Sequence, residues 1–175
     1  TNEVIDLLIS RTDIDYVTGN HERAVIAAFN NEPPPRGHLY EREHHEWIAK
    51  RINPDYIDFI NRFPLTLTYE VLGQVILFVH YHLKNNDFIS IDKEPNVESL
   101  DLLYENSNYD LVCFGHHHIV HEFKSQNRHY LNPGSLGCYH KPLARYGIVE
   151  VSKEGIHHQL REVPYDNKEF LKSYR

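Results

Sequence analysis

Three places in the chain put metal-ligating side chains directly after a short run of strand-forming residues. Ile14–Thr18 leads through Gly19 into Asn20, His21 and Glu22. Val75–Val79 leads into His80, Tyr81 and His82, and Leu111–Phe114 leads through Gly115 into His116, His117 and His118. In open α/β sheets, loops at the carboxyl ends of strands gather side chains from distant parts of a chain. An amide oxygen and several imidazoles delivered by three neighbouring strand ends would make a metal site. Imidazole suits Zn, Mn, Fe, Co or Ni better than Ca or Mg. Gly19 and Gly115 stand where the chain must turn sharply and a side chain would crowd the site. Each piece has an ordinary alternative: His80 as a polar loop residue, His116–His118 as a solvated turn, Gly19-Asn20 as a turn dipeptide. Coincidence at three separate strand ends favours the metal site over all three alternatives together.

The elements that must position these groups follow from pattern. Glu3–Ser10 carries Val4, Ile5, Leu7 and Leu8 at helical spacing. Ile14–Thr18 reads as a strand and Glu22–Phe29 as a helix rich in alanine. The three consecutive prolines Pro33, Pro34 and Pro35 mark a loop. Glu41–Ile52 is an amphipathic helix with Trp47, Ile48 and Ile52 on one face, and Asn53-Pro54 is an N-cap followed by proline at the first helical position of a helix reaching Arg62. Leu65–Val71 alternates as a strand, and Gln74–Val79 is the continuous apolar run of a strand covered on both faces. A polar loop over Lys84–Pro95 and a helix over Asn96–Glu105 come next. Leu111–Phe114 is a second buried strand, and Ile119–Phe123, Arg128–Leu131, Tyr146–Val151 and Ile156–Arg161 read as shorter ones. Mixed strands flanked by helices give an α/β or α+β sheet protein. With 175 residues and no repeat or linker, residues 1–175 are expected to form one domain.

Composition narrows the function classes. The 41% hydrophobic and 25% charged residues are those of a folded globular protein. The longest apolar run, Val75–Val79, falls far short of the ~18 residues of a membrane span, so no membrane partner is expected. A net charge of −7, from 18 basic and 25 acidic residues, offers no basic stripe for a phosphate backbone, so no stable nucleic-acid complex is expected. An acidic protein can still bind a small phosphorylated substrate if metal ions supply positive charge. Cys113 and Cys138 make no disulfide scaffold and, with no secretory signal, suit a reducing cytoplasm. The chain has 14 histidines and no methionine, even at position 1.

Taken in order, Gly19-Asn20-His21-Glu22, Val79-His80 and Gly115-His116-His117-His118 resemble the motifs of a calcineurin-like metallophosphoesterase, of the small single-domain bacterial and archaeal phosphodiesterase type. Asn132-Pro133-Gly134-Ser135 matches a further segment of that subgroup, and Trp47–Leu67 resembles its helical insertion. The resemblance covers essentially the whole chain. It implies a two-sheet mixed β-sandwich flanked by helices, an αββα arrangement with two divalent transition metals, manganese first among Mn, Fe, Zn, Co and Ni. By motif position Asn20, His80 and His116 would hold one ion and His118 the other, and His21 would be the catalytic residue beside the leaving group. The implied activity is hydrolysis of phosphomonoesters or phosphodiesters by an activated hydroxide held between two ions ~3.5–4 Å apart. Neutral imidazole ligands imply metal release below the free histidine pKa of ~6.5.

The family's aspartate-x-histidine and glycine-aspartate motifs have no acceptable match here; Asp13 and Asp15 belong to the segment entering Asn20, and Glu22 is not the bridging carboxylate. A segment of about 40–60 residues, with the first two strands, is therefore expected before Thr1. The chain without it is expected to be inactive and poorly stable. Tyr81 stands where the family usually has glycine, and would narrow the pocket, stack on a substrate base or simply pack beside the sheet. His82 and His117 are expected to support the site or be solvated, Cys113 to pack, and the pairs His44-His45 and His157-His158 to lie at the surface. Two other classes compete with the enzyme: a non-catalytic scaffold using the same fold, disfavoured by the retained His21, and a zinc-stabilised structural domain, disfavoured by isolated cysteines. A small phosphoester is the expected partner, and pairing of exposed C-terminal strands would make a homo-oligomer.

Overall fold

The computed structural model describes residues 2–172. In chain order it contains α1 (Asn2–Ile9), α2 (Asn20–Phe29), a 3-10 turn (Leu39–Glu41), α3 (Arg42–Ala49), α4 (Pro54–Ile60), β1 (Thr66–Val71), β2 (Gln74–Val79), β3 (Leu83–Lys84), β4 (Asp87–Phe88), α5 (Val97–Leu103), β5 (Leu111–Cys113), β6 (Val120–Lys124), β7 (His129–Pro133), β8 (Leu143–Ser152), β9 (Gly155–Pro164) and α6 (Lys168–Lys172). The mixed α/β class expected from the sequence holds. Among the described residues no helix is long and apolar enough to cross a membrane. The chain divides into two compact units, Thr1–Leu67 with Val79–Ser90, and Thr68–Phe78 with Ile91–Arg175.

The first unit is helical. Its core is Ile5, Val25, Ile52, Ile57 and Ile60, with Ile48, Tyr56, Phe59 and Phe63 packed against them. The Asn53-Pro54 signal works as read: Asn53 Oδ1 accepts from Asp55 N at 3.2 Å, and α4 starts on Pro54, whose missing N–H is not needed there. Two expectations change. Ile14–Thr18 is extended but not a strand: Thr18 N–H donates to the Pro64 carbonyl at 2.9 Å, and no ladder forms on it among the described residues. Trp47 is exposed instead of packed, because α3 ends at Ala49 and its inward side carries His45 and Ile48, with Ile52 following; Arg51 lies 4.3 Å over the indole ring. The polar loop after Leu83 folds as a hairpin of β3 and β4, where Asn85 and Asn86 both take left-handed backbone angles, a pair suited to a tight two-residue turn.

The second unit holds a five-stranded sheet in the order β1-β2-β5-β7-β6, with β2, β5 and β7 parallel and β6 antiparallel to β7. The apolar run read as a doubly covered strand is β2, a central strand of this sheet, and Leu111 and Val112 of β5 are fully buried beside it. Against Ile76, Leu111 and Leu131 pack Val149, Val151 and Ile156 of the long β8–β9 ribbon, a two-stranded second sheet. Arg128, buried at the turn before β7, donates to the carbonyls of Tyr104 (2.5 Å) and Ser107 (3.1 Å), fixing the chain after α5 to the sheet.

Candidate metal centre

In the first unit the chain brings together Asn20 and His80, 60 positions apart: Asn20 Oδ1 lies 2.6 Å from His80 Nε2. Asn20 opens α2 and is buried. The Gly19 N–H donates to Glu22 Oε2 at 2.9 Å, so the Glu22 carboxylate caps the first turn of α2. A Cβ on Gly19 would lie 2.7 Å from Glu22 Oε2 and 3.0 Å from His80 Nδ1, so a side chain there would have to displace one of the two. The rings of His80 and Phe88 meet in a T-shaped contact, 5.7 Å between centres, and Arg23 lies over the Phe88 ring and also pairs with Asp87 at 2.7 Å. The short β3–β4 hairpin thus braces the imidazole.

In the second unit the loop after β5 carries His116, half-buried, and His118, exposed. Both have positive φ, +73° and +57°, costing about 1–2 kcal/mol each for residues with a Cβ. The His117 N–H donates to the Gly115 carbonyl at 2.9 Å, closing a three-residue turn centred on His116. Such strain persists only where the surroundings impose it. Here two buried side chains do. Asn132, fully buried, donates from Nδ2 to the Gly115 carbonyl (3.1 Å) and accepts at Oδ1 from the Gly134 N–H (2.9 Å). Arg145, also buried, donates from its guanidinium to the His118 carbonyl and lies 3.8 Å over the Tyr139 ring. Gly134, at φ +90°, leaves room for that guanidinium: a Cβ there would fall 2.7 Å from its central carbon. The Asn132–Ser135 segment therefore shapes the histidine loop, a role its sequence alone did not specify.

Several neighbouring expectations are corrected. His45 is not at the surface; it is 1% exposed, and its Nε2 lies 2.9 Å from His21 Nδ1. The apolar face of α3 buries it, which a helical pattern scored by hydrophobicity alone overlooks. Burial, together with the neighbouring His21, holds the His45 pKa below its ordinary value. Around the pair stand His38 and Glu41; Glu41 Oε2 is 2.6 Å from His38 Nδ1, and this contact lowers the Glu41 pKa. His82 is buried and not solvated, and Tyr81, 1% exposed, packs in the interior. His117 turns onto His121, with ring centres 4.6 Å apart, and burial lowers the pKa of both. His158 is half-buried, 3.4 Å from Glu122, while His157 is exposed. Cys113 packs as expected, and burial pushes its thiol up to about 12.

The family comparison agrees with the motif order. Residues 1–154 match the calcineurin-like phosphoesterase superfamily domain, and the chain belongs to that superfamily. Two solved structures share the fold. Hypothetical protein PH1004 from Pyrococcus horikoshii OT3 is 15% identical, with a TM-score of 0.69 over 98% of this chain and 71% of that one. A metallophosphoesterase from Sphaerobacter thermophilus is 16% identical, with a TM-score of 0.68 over 96% of this chain and 73% of that one. No curated protein matches the chain.

Proposed function

We propose that the protein is a metal-dependent phosphoesterase of the cytoplasm, acting as one domain on a small phosphomonoester or phosphodiester. Asn20, His80 and His116 would hold one divalent transition metal and His118 a second, with manganese the first choice. The observation that carries this reading is the approach of Asn20 Oδ1 to His80 Nε2 at 2.6 Å, with Gly19 left bare to permit it. An amide oxygen and an imidazole nitrogen meeting in a half-buried position are a donor set that fits a borderline divalent ion. When bound, a pair of such ions supplies Lewis-acid polarisation of the phosphoryl oxygens and a nucleophile at neutral pH.

The chain's own residues supply the rest. His21 follows Asn20 on the first turn of α2, its ring exposed and its Nδ1 occupied by His45, which leaves Nε2 to carry a proton toward a leaving oxygen. The amide groups opening α2 favour a phosphoryl anion nearby.

The test is metal content together with turnover. After loading with Mn2+, elemental analysis should find close to two ions per chain in a protein that supplies the aspartate motifs, and at most one in residues 1–175 alone, where this reading gives His118 no partner ligand. Hydrolysis of p-nitrophenyl phosphate or bis(p-nitrophenyl) phosphate should then fall at least ~100-fold in H80N, and in H21Q with metal retained. Turnover indifferent to chelation and to H80N would refute the assignment. Full metal loading without hydrolysis of either ester would move the protein to the non-catalytic scaffold class.

A further inference from the structure

The cluster of His21, Glu41 and His45 is not used as a ligand set by that reading. Ligand atoms of these three residues lie within 4.8 Å of one another. They come from three successive elements of the first unit: the first turn of α2, the 3-10 turn and α3. We propose that they form a separate Zn2+ site. His21 Nδ1 and His45 Nε2 face each other at 2.9 Å. When each ring carries its proton on the far nitrogen, two lone pairs point at one another, and a cation between them turns repulsion into coordination. Tetrahedral zinc with bonds of about 2.0–2.1 Å separates two ring nitrogens by roughly 3.3 Å, so the rings need open by only a few tenths of an ångström.

The surroundings suit an ion better than a solvated histidine patch. His45 is 1% exposed and its Nδ1 has no hydrogen-bond partner, so the buried ring rests its polar contact on Nε2 and His21 alone. His38 Nδ1 lies 2.6 Å from Glu41 Oε2, which orients the carboxylate from outside the set, as carboxylate–imidazole pairs do around metal ligands. Two neutral nitrogens and one carboxylate select zinc over magnesium or calcium, and leave a fourth position open for water. With zinc on Nδ1, His21 keeps Nε2 free, so the ion fixes the ring's tautomer and ties α2 to α3.

The experiment removes the first centre and asks whether an ion remains. In a protein carrying H80N and H116N, Zn2+ titrated against a chromophoric chelator should bind at one ion per chain. Co2+ in its place should show the visible absorption of a tetrahedral site. Adding E41Q or H45N to that background should weaken binding at least ~10-fold. E41Q alters an exposed side chain and carries the test if H45N does not fold. Loss of all zinc from the H80N/H116N protein, or unchanged binding after E41Q, overturns the proposal. Neither result bears on phosphoester hydrolysis, which is read from the intact first centre.

Discussion

Replacing Asn132 with alanine removes the side chain that ties the Gly115 carbonyl, at the start of the histidine loop, to the Gly134 N–H. Its Oδ1 is the acceptor of the Gly134 N–H at 2.9 Å, and its Nδ2 is a donor to the Gly115 carbonyl at 3.1 Å, in a residue with no exposed surface. The two losses differ. The Gly115 carbonyl keeps the His117 N–H at 2.9 Å as a second donor, so that side forfeits one net hydrogen bond, about 0.5–1.5 kcal/mol. The Gly134 N–H is left without its acceptor, an unmade bond that costs about 1–3 kcal/mol. Together they predict a loss of roughly 1.5–4.5 kcal/mol, a large share of the ~5–15 kcal/mol that holds an ordinary domain. Denaturant unfolding of N132A against the parent, compared at equal slope, reads this directly. A difference under about 0.5 kcal/mol, the range of an inconsequential surface change, would refute the claim that Asn132 imposes the turn at His116.

Three further outcomes follow from the same geometry. In G19A the new methyl must displace either Glu22 from its cap or His80 from Asn20, since backbone φ at −107° adds no strain of its own. Thermal unfolding should show a loss of about 0.5–2 kcal/mol, and metal affinity should drop with it; an unchanged protein would mean that the close approach at Gly19 is slack. Acid should destabilise the fold. Burial lowers the folded-state pKa of His121, and burial with Lys124 and His158 lowers that of His129, so the unfolded chain binds more protons as pH falls through about 6.5. The unfolding temperature should therefore decline from pH 7.5 to pH 5, less steeply in H129Q; a flat profile would count against it. Finally, Cys138 is exposed while the Cys113 thiol is pushed up to about 12, so DTNB at pH 8 should label one thiol per folded chain and two after denaturation.

The sequence determined the elements whose causes are local. Asn53-Pro54 starts α4 because an Asx side chain and a proline satisfy a helix N-terminus whatever lies around them. The apolar runs at Val75 and Leu111 became central strands because nothing but a doubly covered position accepts so many branched residues in succession. The order of the glycine, asparagine and histidine motifs was enough to name the superfamily. Ile14–Thr18 had strand-like composition, yet whether a strand forms depends on a neighbour to pair with, and composition does not record the neighbour. Trp47 and His45 exchanged their expected places for a related reason: helix α3 ends a turn earlier than its periodicity suggested, and the packing of α2 against α3 decides which side is covered. Burial of His45 then created the pairing with His21, a contact across 24 positions of chain that no local pattern encodes. The left-handed turns at His116 and His118 also came from outside their own segment, from Asn132 and Arg145. Residue type and spacing specify which groups can bind a metal. Only long-range packing, by burying some of them and straining others, sets where those groups point and which protons they carry.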